Sequence, residues 1–229
     1  DLPSFPTRRS SDLATIWFFL REVDYEHVVE MYDAAKLMAQ GAAMMTGTQI
    51  DTIMTIGSAW SRHFSKPVAE VAQANIELVG LPEWSDDDIA MANALQREMG
   101  QEPRGLATSV PPLRGPINLE QYAGGRSDDI GDVSWNMPTV TMRYPANMPG
   151  GPGHNWANGI AMATPVAHKG ALAGAKVQAL TLLDLFLDGE TVDAAWTYFN
   201  DVQTAETTYT PFITPDDHPA IWLNEDIMA

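Results

Sequence analysis

Metal binding and proton transfer in this chain would fall to five histidines and thirty acidic residues, since it contains no cysteine. Among the histidines, His154 has the setting best suited to chemistry. It ends the run PGGPGH, where flexible backbone can approach a ligand closely, and it is followed by Trp156 and preceded by Asp128, Asp129 and Asp132. Neutral imidazole is a common ligand for divalent zinc, and a nearby carboxylate can orient its second nitrogen. A packed or solvent-exposed loop histidine is the alternative reading of the same residue. His168 stands at the mouth of a long apolar run and could donate to a neighbouring carbonyl. His27 in the first turn of a helix, His63 beside Arg62 in a polar turn, and His218 in TPDDHPA carry no expected catalytic role.

One histidine does not make a metal site. The chain holds no HExxH, no His-x-Asp pair, no Glu-Glu pair and no GxSxG, and its GGPG run lacks the spacing of a phosphate loop. Three consecutive aspartates, Asp86 to Asp88, follow Ser85. They read as the anionic first turn of a capped helix rather than a metal cluster, because consecutive helical residues point in different directions.

The elements that must position these residues follow from hydrophobic periodicity. The run ATIWFFL (14–20) reads as a buried strand. Val28, Met31, Tyr32, Ala35, Met38, Ala42 and Met45 recur at helical spacing before the stop at Gly47, and Ile50, Thr52, Met54 and Ile56 alternate as on one face of a strand. One such strand–helix–strand unit cannot bury both faces, so further strands are expected elsewhere. Pro67 opens a second helix that Gly80 closes, and Ser85 caps a third. A Gly/Pro-rich connection covers 100–125, and connections of that length are commonly functional. Residues 138–144 alternate Val140, Met142 and Tyr144 against Thr139, Thr141 and Arg143, which predicts a strand with one buried face. Thr164 and Pro165 begin the longest helix, expected to run to about Asp188, and a last helix is expected over about 191–203 ahead of a Pro-rich tail.

Composition sets the class. At 45% hydrophobic and 19% charged, the chain has the mix of a folded protein, and its formal charge of −17 opposes binding to nucleic acid or an anionic membrane surface. The apolar run from Ala171 to Leu187 is interrupted by Lys176 and Asp184, so no transmembrane helix is expected. Arg8 and Arg9 precede an apolar run too short for a signal peptide. With no cysteine, a reducing, cytoplasmic compartment is the expectation. Residues 1–13 have no apolar periodicity and resemble translated adapter sequence, so they are read as non-native, and the chain as the rear part of a longer protein.

Three ordered stretches, SDDIGDVSW, GGPGHNW and VAHKGALAGAKVQALTLLDLF, resemble the C-terminal part of the aminobenzoyl-glutamate hydrolase B-subunit family. These are amidohydrolases among the dinuclear-metal aminoacylase and carboxypeptidase-like peptidases. ATIWFFLREVDYEHVVEMYDAAKLMAQGAAMMTGT resembles the middle of that family's dimerisation (lid) domain, and the tail TPFITPDDHPAIWLNEDIMA resembles its C-terminus. The resemblance implies an α/β fold, with residues 14–65 as part of an inserted α/β sandwich lid and residues 66–229 as the C-terminal part of the catalytic domain. It implies two divalent ions, zinc or manganese, and a general base expected upstream of this chain that activates water to attack an amide carbonyl. It makes His154 the metal ligand, with His168 as runner-up. Asp129, Asp132, Trp135 and Trp156 support the site or line the substrate pocket. The substrate class is an N-acyl or N-aroyl amino acid, with aminobenzoyl-glutamate foremost and dipeptides or other acyl groups as alternatives. The expected assembly is a homodimer, with a paralogous subunit or a non-catalytic assembly role as further options. The chain departs from the family in SDD for STD and HNW for HSW, changes that bear on substrate preference.

Overall fold

The computed structural model describes residues 14–115, 128–151, 153–219 and 221. The segment 1–13, the end of the Gly/Pro-rich connection and the last residues of the tail lie outside them. The chain divides into two compact units, one of Asp1–Gly57 with Asp217–Ala229 and one of Ser58–Asp216.

The first unit is built on α1 (Tyr25–Thr46). Asp24 starts it by accepting the His27 amide at 2.9 Å, and Gly47 ends it in the left-handed conformation at φ 65°. Tyr32 of α1 shares a 3.0 Å hydroxyl hydrogen bond with Thr55. No α1 residue is buried. Residues 14–20 and 50–56, expected as strands, lie in neither helix nor strand among the described residues. A strand exists through its ladder partners, and among the described residues these segments form no ladder. Trp17, Phe18 and Phe19 are consequently 72%, 74% and 77% exposed.

The second unit carries the buried core. Its helices are α2 (Lys66–Val79), α3 (Asp86–Glu98), α4 (Ile130–Ser134), α5 (Trp156–Met162), α6 (Pro165–Leu187) and α7 (Gly189–Tyr198). A π-helical turn, Phe199–Gln203, continues α7. α6 is the central element, packed by α2, α5 and α7. Val68 and Ala72 of α2 are buried, as are Val166 and Val177 of α6 and Ala195 of α7. Full burial of a valine of this kind contributes about 1.5–3 kcal/mol. A second apolar cluster joins Ala92, Leu106, Met148, Ala161 and Val166, with Trp84 and Leu95 against it.

The caps fall where the sequence puts them. Ser85 accepts the Asp88 amide at 3.2 Å, and Asp88 accepts the Ser85 amide at 2.9 Å, completing a capping box. Asp88 also receives the Lys169 ammonium at 2.5 Å, which ties α3 to α6. By length and composition α6 is apolar enough to cross a membrane. Within this unit, though, its Asp184 accepts from Asn75 of α2 at 2.6 Å, and its Lys169 is held by α3.

Residues 138–144, expected as a strand with one buried face, form no strand among the described residues, and none of them is fully buried. They run extended along α6, antiparallel to it. The Met142 thioether meets the Thr181 hydroxyl, Tyr144 lies 3.2 Å from where a Cβ on Gly174 would be, and the Pro145 carbonyl would be 2.0 Å from a Cβ on Gly170. Two glycines one turn apart thus open a groove on α6 that admits the chain where a sheet neighbour was expected.

Candidate functional site

The SDDIGDVSW stretch forms α4 and its flanks. Asp128, rather than Asp129, caps the turn, accepting the Ile130 amide at 3.3 Å while facing Arg62 at 3.7 Å. Gly131 is required here by contact: a Cβ at this position would sit 1.7 Å from the Trp60 carbonyl oxygen. The two segments therefore lie backbone against backbone. Trp135 donates its indole N–H to the Ser61 carbonyl at 2.7 Å, and the Ser134 hydroxyl accepts the His63 amide at 3.1 Å.

An aromatic cluster forms around that contact. Trp60 meets Trp135 at 5.4 Å and Tyr209 at 5.2 Å between ring centroids, and His63 lies 5.9 Å from both Trp135 and Tyr198. The Trp60 indole donates to the Thr210 carbonyl at 2.8 Å. Tyr209 donates to the Asp132 carboxylate at 2.9 Å; burial first, and then this carboxylate, push its phenol up to about 12. His63 is half-buried, and burial pushes its imidazole below the ordinary 6.5. Its Nε2 shares a 3.3 Å hydrogen bond with the Tyr198 hydroxyl. Gln203, at the end of the π-helical turn, donates to the Ser134 carbonyl at 2.7 Å.

Asp132 and Trp135 thus come together in one half-buried cluster. The other expected site residues stand apart from it. Asp129 is exposed and makes no side-chain cap. His154 is exposed, with no side-chain partner among the described residues, and it has the left-handed φ of 44°, uncommon outside glycine. Trp156 begins α5 and is 78% exposed. His168 is exposed in the first turn of α6. The expected donation by its imidazole to a neighbouring carbonyl is not seen among the described residues; its backbone amide makes the ordinary helical bond to Thr164 at 3.2 Å. Beside the Gly-rich loop an open groove of about 440 Å³ is lined by Gln96, Gln101, Glu102, Arg104, Pro149 and Gly150. Gln96 fixes its floor, accepting the Arg104 amide at 2.7 Å and donating to the Pro149 carbonyl at 3.2 Å.

Among the described residues no three His, Asp or Glu side chains are grouped to hold a metal ion. His154 fits the role of a single donor, since its imidazole is exposed and unengaged among those residues. Sequence reading missed His63, Trp60, Tyr198 and Tyr209. They are scattered over 150 positions, and no local pattern joins them.

Over an alignment of 201 residues, taking in 76% of this chain, the sequence is 28% identical to the B-subunit of p-aminobenzoyl-glutamate hydrolase from Escherichia coli (strain K12). The resemblance read from the motifs holds. The chain is similar to that hydrolase subunit and spans 40% of its length. No family model matches the chain, and no solved structure matches it. The relationship therefore rests on sequence, and it covers most of the chain.

Proposed function

We propose that this chain is part of a metal-dependent amidohydrolase that cleaves the amide bond of N-acyl or N-aroyl amino acids, with p-aminobenzoyl-glutamate the foremost substrate. The observation that carries the reading is the similarity to the hydrolase subunit over most of this chain. In this reading the fold class is α/β: the segments 14–20 and 50–56 pair with strands of a longer protein as part of its lid, and the second unit belongs to its catalytic domain. The bare aromatic run Trp17–Phe19 and the uncovered faces of α1 support this, because an apolar surface of that size is stable only when covered.

Two divalent ions, zinc or manganese, supply Lewis acidity and lower the pKa of water in such a site. From this chain His154 would hold one of them, since its imidazole is exposed at a loop tip and has no partner among the described residues; His168 is the alternative donor. Asp132 and Trp135, locked into the aromatic cluster, would keep the α4 loop in register with the site. The general base and the remaining ligands would come from the rest of the protein.

The test is an assay of the full-length protein for release of p-aminobenzoate from p-aminobenzoyl-glutamate, beside a dipeptide and an aliphatic N-acyl amino acid. The expected result is metal-dependent turnover, highest on the aroyl substrate and lost in His154→Ala. Preference for the dipeptide or the aliphatic acyl group would reassign the substrate. The uncovered apolar surface of the first unit favours a second reading, a non-catalytic assembly role. Absence of turnover on all three substrates, with metal bound or not, would establish that one.

A further inference from the structure

We propose that residues 60–65, the stretch that opens the second unit, form a proton-sensitive clasp: neutral His63 holds the stretch onto α4 and α7, and uptake of a second proton by its ring releases it. The inference is independent of the catalytic reading. It begins from how little regular structure secures this stretch. The second compact unit starts at Ser58, and residues 58–65 reach α2 without helix or ladder. The described contacts that hold them converge on one place. Trp60 donates to Thr210, Ser61 accepts from Trp135, His63 donates its amide to Ser134, and the Ser65 amide donates to Thr139 at 2.9 Å. Trp60 also lies against the bare Cα of Gly131.

His63 sits in the middle of these contacts, with its ring between those of Trp135 and Tyr198. The groups that could answer a positive charge there are few. Arg62 precedes it and faces Asp128. From α4 and its flank come Asp128, Asp129 and Asp132, the last already bonded by Tyr209. From α7 comes Tyr198, and from the π-helical turn Asp201. Among the described residues no carboxylate bonds the imidazole, whose hydrogen-bond partner is the Tyr198 hydroxyl. That hydroxyl can donate to Nε2 or accept from it, so a second proton on the ring keeps the bond, with Nε2–H donating to the phenol oxygen, and what changes is the charge. The new cation is half-buried with no carboxylate bonded to it among the described residues, a desolvation cost that opening toward water relieves. Burial accordingly holds the imidazole below the ordinary 6.5.

The sign follows from linkage. A base whose pKa is lower in the folded state binds more protons when unfolded, so its contribution is complete above about 6.5 and is lost as pH falls below it. Each pKa unit of lowering corresponds to about a tenfold increase in the population of the open clasp.

The experiment follows the His63 ring protons of the 229-residue chain by NMR from pH 8 to 4.5. In parallel it measures amide exchange at residues 60–65 and the fluorescence of Trp60 and Trp135 in the wild type, His63→Phe and His63→Gln. The clasp requires a His63 midpoint below 6.5, exchange at 60–65 that rises through that midpoint beyond the intrinsic pH effect, and loss of that step in both variants. A midpoint at or above 6.5 overturns the proposal, even if neither variant folds. So does the same exchange step in wild type and His63→Phe, which would assign it to the neighbouring carboxylates.

Discussion

A histidine at a positive φ, exposed and without a partner among the described residues, is an inexpensive residue to replace in stability and a costly one to replace if it binds a metal. His154→Ala in the full-length protein should therefore leave the unfolding midpoint of the metal-free form within the range of ordinary surface changes, about 0.5 kcal/mol. Amidase activity should nearly vanish. His168→Ala should be similarly mild for folding, because the bond to Thr164 is made by the backbone amide and survives the change. Its effect on activity then separates the two candidates: if His168→Ala abolishes turnover and His154→Ala does not, the ligand assignment is exchanged. Gly131 is the opposite kind of residue. It touches no substrate in any reading, yet a methyl group there would collide with the Trp60 carbonyl. Gly131→Ala should destabilise the second unit by about 1–3 kcal/mol, the usual range for overpacking. Urea titration followed by tryptophan fluorescence would read this, and an unchanged midpoint would count against the backbone contact.

One buried acid ties two helices of the second unit together. Asp88 is almost wholly buried, and the Lys169 ammonium, followed by the Ser85 amide, holds its carboxyl below the ordinary 3.8. A depressed carboxylate pKa stabilises the fold above 3.8, and that contribution is lost as pH falls through 3.8 toward the lower folded value. Lys169→Met should therefore flatten the acid limb of the stability profile, besides lowering stability at neutral pH by leaving Asp88 without its cation. An acid limb unchanged in Lys169→Met would show that the pair contributes nothing. The groove on α6 makes a separate demand. Gly170→Ala places a Cβ against the Pro145 carbonyl, and Gly174→Val would drive residues 138–146 off the helix. Both should lower the melting temperature although each improves or maintains an apolar helix.

At the scale of the molecule, the two units differ in what they lack. The second has a buried core; the first has α1 with no buried residue and an aromatic run open to solvent. The purified 229-residue chain should therefore show no amidase activity with added manganese or zinc, since it offers one candidate ligand and no grouped carboxylates among the described residues. Measurable turnover by this chain alone would sink both the ligand assignment and the division of the site. On the proposed reading, a longer protein in which segments 14–20 and 50–56 are covered should be dimeric by light scattering at micromolar concentration; a strict monomer would remove the lid from the assembly argument.

The sequence by itself determined α1, α2, α3 and α6 and most of their ends, while the short helices α4 and α5 and the start of α7 at Gly189 came only with the structure. Ser85 and Thr164 cap, Pro67 and Pro165 open, and Gly47 and Gly80 close, because caps and stops are set by residues within one turn of each other. It also carried the similarity to the hydrolase subunit, 28% identical over 201 aligned residues. Only the tertiary structure decided where 138–144 packs, because alternation marks a buried face without naming what covers it, and Gly170 and Gly174 let a helix take that place. The same limit applies to the cluster of Trp60, His63, Trp135, Tyr198 and Tyr209. Each of these looks ordinary in its own stretch of sequence, and His63 looks solvated beside Arg62. Burial and partnership come from segments far apart in the chain, brought together by the contact of Gly131 with the Trp60 backbone.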